Sequence, residues 1–242
     1  MGADITCALV GSELCDEKSP SLLADIGTNG ELCLWDGNKL LVTSTAAGPA
    51  FEGVGISYGM RATSGAICRV WAENGEILFS TISDAEPQGI CGSGIIDALA
   101  VLKRFELMDE CGNLEDDPTE ISKKVSVSGR DVRMVQTAKS AIYAGIKTLL
   151  YGKDFTPEKV FIAGGFGKYL NMESAAEIGL IPKEQADKAL CIGNAALSGA
   201  SALLLDTSLR KKCDFILHKA EVVELSSNPV FTEFYISGMM FE

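Results

Sequence analysis

Asp25-Ile26-Gly27-Thr28-Asn29-Gly30-Glu31 packs two carboxylates, two glycines, a hydroxyl and an amide between two apolar runs. In a tight turn, residues without bulky side chains let backbone N–H groups point inward, and such a nest holds anionic oxygens without lysine. Thr28 and Asn29 add side-chain donors. Asp25 repels phosphate directly, but a carboxylate at the end of that first run suits Mg2+ held through water, the usual way that ion sits beside phosphates. An ordinary hairpin with Asn-Gly at its corner accounts for the same residues. A second turn, Val160-Phe161-Ile162-Ala163-Gly164-Gly165-Phe166-Gly167, is again an apolar run broken by glycines. Glycine at a strand's C-terminal end lets the backbone approach a flat or anionic ligand. Neither turn is a common nucleotide motif. Gly167-Lys168 is followed by Tyr169 where a Walker A loop needs Ser or Thr, position 162 is Ile where it needs Gly, and Leu170 stands where a dinucleotide fingerprint needs its third glycine.

The elements that must position these turns are readable from periodicity. Leu22 to Ile26, Glu31 to Trp35 and Lys39 to Thr43 are short apolar runs divided by turn residues, the pattern of a three-stranded antiparallel meander. Ala66 to Ala72 and Glu76 to Thr81 flank Glu-Asn-Gly and predict a further hairpin. Helices are expected over Gly94 to Phe105 and over Asp131 to Tyr151, where Val132, Val135, Ile142, Ile146 and Leu149 recur at helical spacing. Lys159 to Ala163 predicts a buried strand, Asn194 to Leu205 a closely packed helix, Lys219 to Leu225 a strand, and Asn228-Pro229 the cap of a last helix. A meander followed by helices around a mixed sheet is the plan of an α/β, ribonuclease H-like lobe. It reads as one domain over residues 1–242 with an inserted hairpin at about 64–84.

Composition excludes several functions. A chain of 242 residues that is 47% hydrophobic and 22% charged buries a substantial core. Its net charge of −12 and lack of a Lys/Arg cluster argue against nucleic acid or an anionic membrane as partner. No uncharged apolar run reaches the roughly 20 residues that cross a bilayer, and the N-terminus lacks a basic region before an apolar one, so a cytoplasmic location is expected. The start Met1-Gly2-Ala3-Asp4-Ile5-Thr6 fits the N-myristoylation pattern by chance, since the basic or second lipid signal of a stable anchor is missing. The eight cysteines include no C-x-x-C pair, and His218 is the only histidine, which removes zinc-knuckle, thioredoxin-type and His-rich metal chemistry. His218 is expected near the start of a strand in a structural role.

The two turns together resemble the phosphate and adenosine motifs of the actin-like ATPase superfamily, which includes sugar kinases and Hsp70 chaperones. "ADIGTNGE", "STAAGPAFEGVGISYGMRATSGAI", "GICGSGIIDAL", "AKSAIYAGI", "FIAGGFG" and "IGNAALSGA" resemble, more specifically, the C-terminal part of the reductive activators of corrinoid proteins. The resemblance runs from about Gly2 to the end of the chain. It implies that Gly27, Thr28 and Asn29 line a phosphate loop and that Gly164, Gly165, Phe166 and Gly167 form the adenosine loop. It further implies that Gln136 and Lys139 contact adenine and ribose, that Gly48 and Pro49 approach the ribose edge, and that Asn194 opens the helix closing the lobe. The Cys91-Gly92-Ser93-Gly94 turn looks like the nucleotide-side turn of related dehydratase activators, and a helix N-terminus suits an anion on its own account. Asp25, as a water-mediated Mg2+ ligand, and Glu52, as a group positioning water or metal, are the candidate catalytic residues.

Members of that family are redox ATPases of anaerobes, in which an N-terminal ferredoxin domain supplies an electron and ATP drives its delivery to an inactive Co(II) corrinoid. The chain has no C-x4-C-x2-C run for the 2Fe–2S centre. It also starts after the point where the resemblance would place the first ATPase lobe, so it reads as the second lobe: a truncation, a fragment or a split gene product, with weak or absent ATPase alone. The implied cofactors are ATP and Mg2+, with the 2Fe–2S centre confined to the N-terminal domain. The implied partners are a corrinoid protein of a methyltransferase system and the other lobe or ferredoxin domain. Two other functions fit the same residues. One is a non-catalytic docking domain for a corrinoid protein or partner lobe. The other is a small-molecule kinase of the same superfamily, for which no carboxylate facing a sugar hydroxyl stands out.

Overall fold

The computed structural model describes residues 2–165 and 169–241. In chain order the elements are α1 (Ala3–Ser12), β1 (Ser21–Ile26), β2 (Gly30–Trp35), β3 (Leu40–Thr45), β4 (Ala66–Glu73), β5 (Glu76–Thr81), β6 (Gly89–Ile90) and α2 (Gly92–Arg104). They continue with β7 (Thr119–Ser122), β8 (Val125–Val127), α3 (Gly129–Leu150), β9 (Lys159–Ala163), α4 (Met172–Glu177), α5 (Lys183–Ala186) and β10 (Ala189–Gly193). The last are α6 (Ala195–Leu205), α7 (Arg210–Lys219), β11 (Ala220–Val222) and α8 (Pro229–Ser237).

The main sheet has six strands in the order β10-β9-β1-β2-β3-β11. The expected meander is its centre: β1, β2 and β3 pair antiparallel, with Ile26 opposite Gly30 beside the tight turn. β9 joins β1 in parallel, Ser21 to Asp25 matching Lys159 to Ala163, so both strands end at the same level. That parallel return requires a crossover, and α3 lies on it. Strand β1 is buried on both faces. Leu22, Ala24 and Ile26 belong to the core cluster that includes Val132, Val135, Ala138 and Ile142 of α3, while Leu23 belongs to a second cluster with Ile5, Ala8 and Leu9 of α1. A mixed sheet between helical layers is the ribonuclease H-like plan expected.

Between β3 and α3 lies the inserted segment: the β4–β5 hairpin, extended by β6 into a three-stranded sheet, then α2 and the small β7–β8 hairpin. A capping box starts α3, with the Asp131 carboxylate accepting from the Ser128 backbone N–H at 2.9 Å and hydroxyl at 2.8 Å. Its second oxygen accepts from the Ser57 N–H at 2.7 Å and hydroxyl at 3.0 Å, fastening the loop after β3 to the helix.

Several boundaries and roles differ from the sequence reading. The strand expected over 219–225 is only Ala220–Val222, because α7 runs through Lys219. His218 therefore sits in the last turn of a helix, its Nδ1 2.7 Å from the Asp214 carbonyl, rather than at a strand start. The helix α1 is not foreshadowed by amphipathic spacing. It is held by α6, against which Gly11 and Gly199 cross backbone to backbone; a Cβ on Gly199 would collide with the Cys7 carbonyl. Gly199→Ala is expected to cost about 1–3 kcal/mol through forced separation of the two helices, measured by denaturant unfolding. An unchanged midpoint would mean that the crossing does not hold α1.

Candidate functional site

Strands β1 and β9 deliver their two turns to one place. Gly164 has φ +124, and a Cβ there would run into the Ile26 carbonyl, so only glycine lets the two chains come this close. Its N–H donates to Gly193 O at 3.0 Å, tying the turn to the end of β10. Beside it Gly165 has nothing within 4 Å of a Cβ position and opens onto free space. Phe166 and Gly167, the rest of the expected adenosine loop, lie outside the described residues.

Two hollows flank this junction and share Ile26, Gly27 and Gly165 as walls. The first, about 330 Å³, is lined by Asp4, Asp25, Thr28, Asn29, Glu31, Gly164 and Asn194. The second, about 290 Å³, is lined by Phe51, Glu52, Met60, Arg61, Cys91 and Gly92. The Gly27 N–H is not one of the turn's free donors, since it donates to Asn29 O at 3.2 Å. The Thr28 and Asn29 N–H groups have no acceptor among the described residues and remain for a ligand. The turn is braced from behind. Gly48, with φ +77, donates its N–H to Thr28 O at 2.8 Å, and Pro49 starts a short 3-10 turn that carries Glu52. The Thr28 hydroxyl donates toward both Glu52 oxygens, at 3.0 and 3.1 Å. Glu52 thereby orients the hydroxyl in the middle of the glycine turn.

On the other side of the junction, Cys91 is the N-cap of α2 and gives it no side-chain cap, so the helix presents first-turn amides beside Gly92. Ser93 is buried and turned inward, its hydroxyl donating to Cys68 O at 2.9 Å, and it lines neither hollow. Asn194 caps α6 by accepting from Leu197 N at 2.8 Å, on the wall of the acidic hollow.

Gln136 and Lys139 lie elsewhere. They line neither hollow and instead bind the chain's C-terminal segment, Gln136 Nε2 donating to Met239 O at 2.6 Å and Lys139 Nζ to Gly238 O at 2.7 Å and Met240 O at 2.6 Å. Lys139 is fully buried, with Phe241 under its ammonium at 4.6 Å from the ring centroid. Both side chains are turned to the C-terminal segment, away from the two hollows, whereas the resemblance implied adenine and ribose contacts for them. Arg61 is the residue in the second hollow that the sequence reading passed over. It stands in the quoted "SYGMRATSGAI" stretch, but which way it faces depends on the pairing of Gly59 and Met60 with Ile90, far along the chain.

A family described as the C-terminal domain of RACo, the ASKHA domain, matches residues 19–242. The chain belongs to that family. It is 39% identical over its full length to a corrinoid activation enzyme, RamQ, of Eubacterium limosum, covering 46% of that protein. It is 28% identical to a Co(II) methylated amine-specific corrinoid protein reductase of Methanosarcina barkeri, again over its full length and 49% of that protein. A solved reductive activator for corrinoid, iron-sulfur protein superposes with a TM-score of 0.90 at 36% identity, over 99% of this chain and 42% of that one. The chain thus spans about half the length of the curated relatives it matches. The ASKHA family and the mixed sheet establish the actin-like fold.

The acidic hollow fits a cation held at one remove. Among the described residues, no three His, Cys, Asp or Glu side chains group closely enough to ligate a metal directly. Mg2+ bound through phosphates and waters needs only one or two carboxylates. Burial, then the charges of Glu31 and Asp4, push the Asp25 carboxyl above its ordinary range. Glu31 stands directly opposite Asp25 on β2, a like-charge cross-strand pair that destabilises the sheet. Because the folded state holds this proton to higher pH than the unfolded chain, the cost is absent below the unfolded pKa and grows as pH rises through the folded one. Asp25→Asn is therefore expected to raise the melting temperature in metal-free buffer at neutral pH by roughly 2 °C, partial exposure keeping the gain small. The gain should vanish below about pH 3. A lower melting temperature at neutral pH would show that the carboxylate stabilises the turn instead.

Proposed function

We propose that this chain is the ATP-binding lobe of an ATP-dependent reductive activator that returns Co(II) corrinoid proteins of methyltransferase systems to Co(I). The observation that carries the reading is the convergence of the Gly27–Asn29 and Gly164–Gly165 turns on the level ends of β1 and β9. The open position beside Gly165, where a Cβ would project into free space, fits a ligand that approaches the backbone itself. Corrinoid reduction comes from the names of the relatives, which are about twice as long. A ferredoxin domain with a 2Fe–2S centre and a first ASKHA lobe are accordingly proposed as partners of this lobe, and a corrinoid protein as its target.

When bound, MgATP supplies the free energy for an uphill one-electron transfer. The chain's own residues bind and orient it. The Thr28 and Asn29 amides would donate to phosphoryl oxygens, and Gly48 keeps that turn from opening by its bond to Thr28 O. Glu52 fixes the rotamer of the Thr28 hydroxyl and, on the wall of the second hollow, would position a water or the metal. Asp25 would hold the Mg2+ through water. Gly164 and Gly165 leave the strand end bare for the adenosine half.

Calorimetric titration of MgATP into the chain tests this reading. Wild type is expected to bind, and Gly165→Val to weaken binding roughly tenfold or more, the factor that 1.4 kcal/mol of lost contact produces, with the fold kept. No heat of binding in the wild-type chain would overturn the nucleotide reading and favour a docking domain. Asp25→Asn should bind MgATP more weakly while melting higher, a combination that a purely structural aspartate would not give.

A further inference from the structure

The chain carries a net charge of −12, and the two hollows are walled by Asp4, Asp25, Glu31 and Glu52. A magnesium-bound triphosphate still has net negative charge, so a site of this composition needs a cation of its own. Among the described residues one Lys or Arg side chain lines either hollow, and it is Arg61. We infer that Arg61 is the phosphate-recognising residue of the site, its guanidinium taking the anionic oxygens that the Thr28 and Asn29 amides and the metal leave uncompensated. The inference rests on the nucleotide reading above and assigns it a specificity residue that neither glycine turn supplies.

Three features support the assignment. Arg61 is exposed and makes no ion pair or side-chain hydrogen bond among the described residues, so no partner must be broken before a ligand binds. Glu52, the carboxylate that shares its hollow, is instead engaged by the Thr28 hydroxyl. Second, the backbone carrying Arg61 is fixed on both sides. Met60 N–H donates to Ile90 O at 2.9 Å, Ile90 N–H to Tyr58 O at 2.8 Å, and Thr63 N–H to Arg61 O at 2.7 Å. Third, the strand that pins it, β6, runs straight into Cys91 and the uncapped start of α2, so one short segment places both the guanidinium and the helix's positive end on the same wall. A planar fork of N–H donors matches phosphoryl oxygens in pairs, which a lysine at this position would not.

The test is binding of MgATP and of adenosine, each by calorimetry, to the wild-type chain, Arg61→Gln and Arg61→Lys. Arg61→Gln is expected to raise the Kd for MgATP roughly tenfold to a hundredfold, the range for losing a charged hydrogen-bond pair. Adenosine should change less than about twofold, so the preference for the triphosphate shrinks by the same factor, and Arg61→Lys should fall between. Since Arg61 is exposed, the melting temperature of Arg61→Gln is expected to match wild type. An unchanged Kd for MgATP in Arg61→Gln would overturn the inference while leaving the nucleotide reading intact. Equal weakening of MgATP and adenosine would overturn it too, assigning Arg61 to the base. If wild type binds no MgATP, the reading itself fails and the inference with it.

Discussion

The site depends on one close approach: Gly164 passing the Ile26 carbonyl where β1 and β9 end together. In an open sheet the crevice beyond the carboxyl ends of parallel strands is where ligands sit, because the chain must leave there in turns whose amides are not used by the ladder. Here β1 turns back antiparallel into β2, while β9 departs through two glycines, so a nest and a bare strand end lie side by side. Any side chain at Gly164 would push these apart. The two halves of the site would then no longer share a wall.

Around that contact the molecule accepts local costs and secures them from a distance. Asp25 faces Glu31 in mid-pair, Gly164 takes a left-handed backbone, and α2 starts without a capping side chain. Such departures gather where a site must be open to a ligand. The compensation is in the frame. Asp131 closes its own capping box and grips Ser57, which fastens the Glu52–Arg61 loop to the crossover helix. Lys139 and Gln136 tether the C-terminal segment over α3, and Phe241 fills the space beneath, fully buried. The rigid parts thus lie under the site and the free donors above it.

Much of this was legible in the residues. The meander announces itself because apolar runs of strand length are cut by Gly-Thr-Asn-Gly and Asp-Gly-Asn, local signals that need no partner. Glycines at 27, 92, 164 and 165, all singled out for backbone approach, line the two hollows, whereas Gly48 lines neither and braces the first turn through its bond to Thr28 O. What stayed hidden was set by contacts remote in sequence. The resemblance implied ligand contacts for Gln136 and Lys139 because polar residues on a helix carry no mark of what will cover them; the carbonyls that do so belong to residues 238–240. The α1 helix was missed because its apolar residues are spread around it and its partner face is made by glycines. Arg61 lay in plain view, yet only the pairing with Ile90 turns its segment toward the glycine turns.

Hydrogen–deuterium exchange, followed while MgATP is added, tests the central claim most directly. If the two turns form one cradle, peptides carrying residues 27–30 and 163–165 slow their exchange together, at the same nucleotide concentration. Protection of one without the other, or of neither while nucleotide binds elsewhere on the chain, would contradict the account.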